Sequence, residues 1–313
     1  MTMVARRTFL SVLLASGAVL GGAPAFGQSA GDLGVLVMAH GGGTVWNAEV
    51  TAMLEPLHKD YPLEIAFGMA DPSTIQDAVR KLEQRGARRI AVVRLFISGE
   101  SWYERTEQIL GVRPGAEPRA ADSHAGHAGH AAAPAVGHGG HDMSLWRIET
   151  GAGFALRTEG LADAPEMGAV LVQRARGLSK QPQRESLLIL AHGPETDDEN
   201  ARWLAKIDAR AEAVRKAVPF REVRVETLRE DWPEKRQAAE ARVRGVVEQA
   251  SRDGGTAIVI PYRVQGFGPY AKVLEGLTYL SDGKGLLPSP EVEQWVRRQV
   301  ETMARGEFRK PMA

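Results

Sequence analysis

The chain has 313 residues, with 39 Lys and Arg set against 39 Asp and Glu, so its formal net charge is zero. That length allows two ordinary domains with cores of their own, and the charge balance excludes nucleic-acid or polyanion binding driven by overall charge. Its 43% hydrophobic and 25% charged residues are those of a soluble globular protein, and the absence of Cys excludes disulfides, thiolate metal sites, Fe–S clusters and Cys nucleophiles.

Residues 1–30 read as an export signal rather than as part of the fold. Arg6-Arg7 precede Phe9-Leu10 and the apolar stretch TFLSVLLASGAVLGG, and Ala23-Pro24-Ala25 offers a small-x-small cleavage site. The order Arg6-Arg7-Thr8-Phe9-Leu10 resembles the twin-arginine type, which exports folded proteins. The apolar stretch is short for a membrane span and rich in Gly and Ala. The expectation is a signal that is cleaved, leaving a soluble periplasmic protein with no stable membrane insertion.

A first domain is expected over 32–180. It opens with GVLVMAHGG (34–42), an apolar run that stops at Ala39-His40-Gly41. A run of Val, Leu and Met ending in a polar residue and Gly reads as a buried parallel strand. A helix (about 46–59), a strand LEIAFG (63–68) and a helix from Asp71-Pro72-Ser73 to about Arg85 follow, Ser73 serving as its cap and Gly86 as its stop. RRIAVVRLFIS (88–98) is a third buried strand, 145–157 is extended and 165–177 is helical. Residues 113–142 interrupt this domain with RPGAEPRAADSHAGHAGHAAAPAVGHGGHD, a run of Ala, Gly, Pro and His that builds no core and reads as a flexible insertion.

A second domain is expected over 183–313, after a linker near Ser179–Gln183. LLILAHG (187–193) repeats the first opening and stops at Ala191-His192-Gly193. A helix (197–217), a strand REVRVETLRE (221–230), a helix (233–252), a strand TAIVIPYRV (256–264) and a last helix (291–305) follow in the same order. Both units therefore read β-α-β-α-β, which predicts parallel sheets with helices on both faces. Short right-handed crossovers bring the loops after the first and third strands of each unit to one cleft.

His40 and His192, each at the end of a buried strand before Gly, are sterically open and suited to ligate a metal or accept a proton near neutral pH. Their recurrence in one context favours function over two coincidental structural histidines. The insertion adds His124, His127, His130, His138 and His141, spaced HxxHxxH and HxxH, a set of neutral imidazoles suited to wrapping Ni²⁺, Cu²⁺, Co²⁺ or Zn²⁺. In the first unit's strand-three loop Glu100 is placed as a second ligand or proton acceptor beside His40. The second unit's loop, Val264 to Tyr270, holds no acid; its Phe267 and Tyr270 are expected to stack on a flat ligand, while Arg94, Arg105 and Arg263 are expected to meet ligand carboxylates. Asp197-Asp198-Glu199, at a helix start, reads as a cap. There is no Gly-rich phosphate loop and no G-x-S-x-G elbow.

These residues together resemble the class II tetrapyrrole metal chelatases of the sirohydrochlorin cobalto/ferrochelatase type. The resemblance rests on His40-Gly41 and His192-Gly193, on VVRLFISGES and IVIPYRVQGFG, and on DGKGLLPSPEVEQWV (282–296), and it covers most of the chain beyond the signal. It implies two tandem flavodoxin/Rossmann-like α/β domains around a central cleft that holds a planar, carboxylate-rich macrocycle. It also implies a His that receives Co²⁺, Fe²⁺ or Ni²⁺ and assists removal of the pyrrole protons. Family members carry a second His in the strand-three loop, where this chain has none, and Ser289 stands where the tail motif has His. Two functions stay open: insertion of a divalent metal into a sirohydrochlorin-like tetrapyrrole, and an exported metal- or tetrapyrrole-binding protein on the same fold.

Overall fold

In a computed structural model, residues 30–119 and 144–312 are described. The export segment and all five clustered histidines of the insertion, His124, His127, His130, His138 and His141, fall outside the described residues.

The first half contains β1 (Leu33–Ala39), α1 (Thr44–His58), β2 (Leu63–Phe67), α2 (Pro72–Gln84), β3 (Arg89–Leu95), α3 (Tyr103–Ile109), β4 (Gly153–Leu156) and α4 (Glu166–Leu178). The second contains β5 (Glu185–Ala191), α5 (Asp197–Ala217), β6 (Glu222–Thr227), α6 (Pro233–Arg252), β7 (Thr256–Tyr262), α7 (Tyr270–Val273), β8 (Tyr279–Leu280) and α8 (Pro290–Ala304). The strands pair in two parallel sheets of four, ordered β2-β1-β3-β4 and β6-β5-β7-β8. In each order the chain first builds to one side of the opening strand and then crosses to the other. The reversal lies between β1 and β3, and again between β5 and β7, where open α/β sheets leave a crevice beyond the strand ends.

Sequence pattern accounts for these positions. β1 and β5 are buried at every residue, as central strands covered on both faces must be. Helix α2 is capped by Asp71, whose side chain accepts from the Ser73 N–H at 2.8 Å; Ser73, the expected cap, lies inside the first turn. α5 is capped by Thr196 with three acids in its first turn, so Asp197, Asp198 and Glu199 lie at the positive end of the helix.

One core joins the halves. Val35 and Val37 of β1, Leu187 and Ile189 of β5, and the buried faces of α1, α4, α5 and α8 belong to a single apolar cluster between the sheets. Each half sends its last helix across: α4 packs on α5 and β7, and α8 packs on β3, β4 and α1. Gly31 to the C-terminus accordingly forms one compact unit. Separate apolar clusters back the far faces, under α2 in the first half and under α6 and α7 in the second. Among the described residues no helix is long and apolar enough to cross a membrane.

Candidate metal and proton-transfer site

His40 and His192 stand one residue beyond the C-terminal ends of β1 and β5. The strand registers place Ala39 beside Leu95 and Ala191 beside Tyr262, so each imidazole lies where the loop after the third strand begins. The following glycines are required. Gly41 and Gly193 have φ of +79° and +82°, a region side chains with Cβ rarely adopt. A Cβ on Gly193 would lie 2.8 Å from the Thr227 Cβ, and one on Gly41 3.3 Å from the Gly68 nitrogen. The Ala-His-Gly phrase is thus the signature of a chain turning tightly off a buried strand against its neighbour.

This turn brings each ring back onto its own backbone. Nδ1 of His40 donates to the Gly41 carbonyl at 2.7 Å, and Nδ1 of His192 to the Gly193 carbonyl at 2.6 Å. A carbonyl oxygen only accepts, so Nδ1 carries the proton in both rings and Nε2 is the nitrogen available for chemistry.

The two Nε2 environments differ. His40 is exposed. His192 is half-buried: its Nε2 lies 2.9 Å from Asp231 Oδ2 and 4.0 Å from Glu230 Oε2, and its ring meets Trp232 edge-on at 5.8 Å. With acceptors on both ring nitrogens, His192 is an imidazolium in this arrangement. Burial opposes that charge, but the Asp231 hydrogen bond, the charges of Glu230 and Asp231 and the Gly193 carbonyl outweigh it and hold the pKa above the usual 6.5. Glu230 is nearly buried and is anchored by an ion pair with Arg263 Nη1. That guanidinium lies 5.6 Å from the Tyr270 ring centroid. A chain of charge thus runs from the end of β7 through Glu230 to the histidine at the end of β5.

Glu230, Asp231 and Trp232 were not among the sequence candidates. The expected strand 221–230 ends at Thr227, and Arg229 turns the chain with a φ of +59°. The acids therefore sit in a loop facing His192 instead of on a strand. The expectation that the second histidine lacks a co-ligand is corrected accordingly.

Several expected contacts are otherwise engaged. Both oxygens of Glu100 are held by Arg202 of α5, at 3.1 and 2.6 Å, with Lys206 at 3.7 Å. The Arg202 hydrogen bonds lower the carboxyl pKa against a smaller burial effect. Glu100 is thus a link between halves, not a group reserved for His40. Arg94 is buried and donates to the carbonyls of Gly99, Ser101 and Arg157, at 2.6, 2.8 and 2.9 Å; burial lowers its pKa to about 10. It braces two loops and does not reach a ligand carboxylate. Arg105 likewise donates to the carbonyls of Ala70 and Ser144. Tyr270 is fully buried, so its face is not offered to a ligand, and burial pushes its phenol well above the usual 10. Phe267 is part-buried and stacks on Tyr279 at 6.0 Å.

Among the described residues no group of three or more His, Asp and Glu is closed around a point as a finished metal shell. A cleft of about 900 Å³ opens between the halves, lined by Glu100, Arg157, Glu159, Asp163, Lys206 and Arg298, and it contains neither imidazole. Its charges are mutually paired: Lys206 with Asp163 at 3.1 Å, Arg298 with Glu159 at 2.6 Å.

No protein-family model matches the chain, and no curated protein sequence matches it. Solved structures do. SirB from Bacillus subtilis with Fe³⁺ superposes with a TM-score of 0.60 at 17% identity, covering 88% of this chain and 96% of that one. The sirohydrochlorin chelatase SirB from Bacillus subtilis subspecies spizizenii in complex with cobalt gives 0.56 at 14% identity, covering 88% and 99%. A multi-domain protein of Deinococcus radiodurans with structural similarity to chelatases gives 0.52 at 17% identity, covering 90% of this chain and 57% of that one. The chain has the class II chelatase fold.

Proposed function

We propose that this chain is a metal chelatase that inserts a divalent ion, Co²⁺, Fe²⁺ or Ni²⁺, into a sirohydrochlorin-like tetrapyrrole. The observation that carries this reading is the His192 contact: an imidazole Nε2 at a strand end, 2.9 Å from one carboxylate and 4.0 Å from a second, in a chelatase fold. Metal insertion exchanges one divalent ion for two pyrrole protons, so the site needs a ligand that releases the ion and bases that take protons. His192 Nε2 gives up its proton to receive the ion, as every imidazole ligand must. Separations near 3 and 4 Å between donor atoms are those of neighbouring ligands on one ion of about 2 Å bond length. Asp231 and Glu230 then accept the pyrrole protons, Glu230 being kept ionised by its Arg263 partner. His40, with the same turn and the same Nδ1 bond, is the equivalent ligand of the first half.

The test is optical. Protein lacking residues 1–30 is mixed with Co²⁺ and sirohydrochlorin and the macrocycle absorbance is followed. Wild type accelerates insertion over the metal-only control, His192→Ala abolishes the acceleration, and His40→Ala reduces it less. A wild-type rate equal to the control removes this reading.

A second reading, an exported protein that stores or delivers metal, is favoured by the five histidines between 124 and 141 and by strand-three loops without His. Export rests on the Arg6-Arg7 segment. Calorimetry with and without residues 124–141 decides between store and enzyme: the store loses most of its bound metal on deletion, whereas the enzyme keeps the His192 site.

A further inference from the structure

A groove of about 650 Å³ lies between α6 and α7 and is lined by Pro233, Arg236, Glu240, Arg244 and Lys272 among others. Three cations face one acid there. Arg236 is held by Glu240 at 2.8 Å, and its Nη1 donates to the Glu230 carbonyl at 3.0 Å. Arg244 spends Nη1 on the carbonyls of Val273 and Glu275, at 2.7 and 3.1 Å, and its Nε and Nη2 bond nothing among the described residues. Lys272 is exposed and has no ion pair or side-chain hydrogen bond among them. Most other surface cations of this chain are neutralised by a neighbouring acid, so this local excess stands out in a molecule of zero net charge.

The groove is also placed with respect to His192. Its first lining residue, Pro233, is two residues beyond Asp231, the carboxylate on His192 Nε2, a chain distance of at most about 7 Å. Arg236 is tied to the backbone of Glu230, the other carboxylate. The same short segment therefore carries the two acids toward the imidazole and opens the cationic groove behind them.

We infer that the α6–α7 groove is a subsite for carboxylate groups at the periphery of the ligand bound over His192, with Lys272 and Arg244 as the contacting cations. This rests on the chelatase reading and deepens it by assigning part of the macrocycle's orientation. Lys and Arg heads with unspent donors are the partners that carboxylates require. A compact groove between a helix and a single short turn suits a carboxylate arm and not an extended polyanion. A free carboxylate such as citrate shares this chemistry, and the two sources are separable.

The experiment titrates the full-length protein with uroporphyrin, an octacarboxylate porphyrin, and with coproporphyrin, a tetracarboxylate one, by fluorescence at two salt concentrations, with citrate as the free-anion arm. Lys272→Glu is expected to weaken uroporphyrin about fivefold to tenfold at low salt and less at high salt, to weaken coproporphyrin less, and to leave the unfolding temperature unchanged. Lys272→Arg restores binding. Equal uroporphyrin affinity in wild type and Lys272→Glu overturns the subsite and leaves the chelatase reading standing. If wild type binds neither porphyrin, the macrocycle reading falls and citrate decides the groove. Citrate bound by wild type and lost in Lys272→Glu keeps it as an anion site; no citrate binding overturns it.

Discussion

At the scale of single residues, the two Ala-His-Gly phrases share a backbone and diverge in charge. Both rings spend Nδ1 on the next carbonyl, but only the environment of His192 includes a nearly buried carboxylate fixed by an arginine. The consequence is a pH sign. The pKa of His192 is raised, so the imidazolium persists above pH 6.5, and its contribution to stability is full below that pH and is lost as pH rises through the raised value. Metal needs the deprotonated ring, so Co²⁺ affinity at this site climbs as pH rises over the same window. Asp231→Asn keeps the shape and removes the charge. It is expected to move the His192 titration down, read by imidazole NMR. It should also weaken Co²⁺ binding about 10- to 100-fold, the usual cost of losing a partner to a metal-bound imidazole. An unmoved titration would show that Asp231 does not set the charge of His192. The glycines give a second check. Gly193→Ala combines a positive φ with a 2.8 Å collision and should cost about 1–3 kcal/mol. Gly41→Ala, with 3.3 Å to its nearest neighbour, sits at the lower end. Urea unfolding of the two variants orders them.

At the scale of elements, most strands and helices were legible because their residues are dictated locally. VLVMA and LLILA can only be buried strands, and Asp71-Pro72 and Ser289-Pro290 announce helix starts. What escaped was set by backbone geometry or by distant partners. The alternation of REVRVETLRE continues past Thr227, so pattern alone extends the strand; the positive φ of Arg229 that ends it, and so presents Glu230 and Asp231 to His192, leaves no mark in hydrophobic period. Glu100 was read as facing its own unit, yet its bonds go to Arg202, 102 positions away on α5. Arg94 was read as a ligand contact because a cation at a strand end invites it. Its real partners, three loop carbonyls, are visible only once the loops are folded over it. That role predicts a stability effect: Arg94→Leu leaves the Gly99, Ser101 and Arg157 carbonyls without their charged donor and should cost about 3 kcal/mol or more by denaturant unfolding. A loss below about 1 kcal/mol would mean that the loops after β3 and β4 hold without the clamp.

At the scale of the whole molecule, the sequence divides into two repeats and the structure joins them. The helices that close each repeat cross over, α4 to β7 and α8 to β3, and the apolar cluster between the sheets draws on both. Polar contacts follow the same route: the buried Tyr262 hydroxyl of β7 donates to the Leu161 carbonyl at 3.0 Å, and Trp295 of α8 donates to Glu159 at 3.1 Å. Neither half can bury its inner face without the other, which makes folding of Gly31 onward a single event rather than two. The cleft in which His40 and His192 would act is then set by packing and not by a flexible linker. Trp295 is the residue on which this can be tested, being fully buried on the helix that crosses to the first sheet. Trp295→Ala removes a large side chain from the shared core and should cost about 3–5 kcal/mol, lowering the unfolding temperature by on the order of 10 °C. Because the core is common, calorimetry should show one transition in wild type and one, shifted, in the variant, with fluorescence and far-ultraviolet signals moving together. Two resolved transitions in the variant, one at the wild-type temperature, would mean that the second half stands alone and that α8 merely leans on the first.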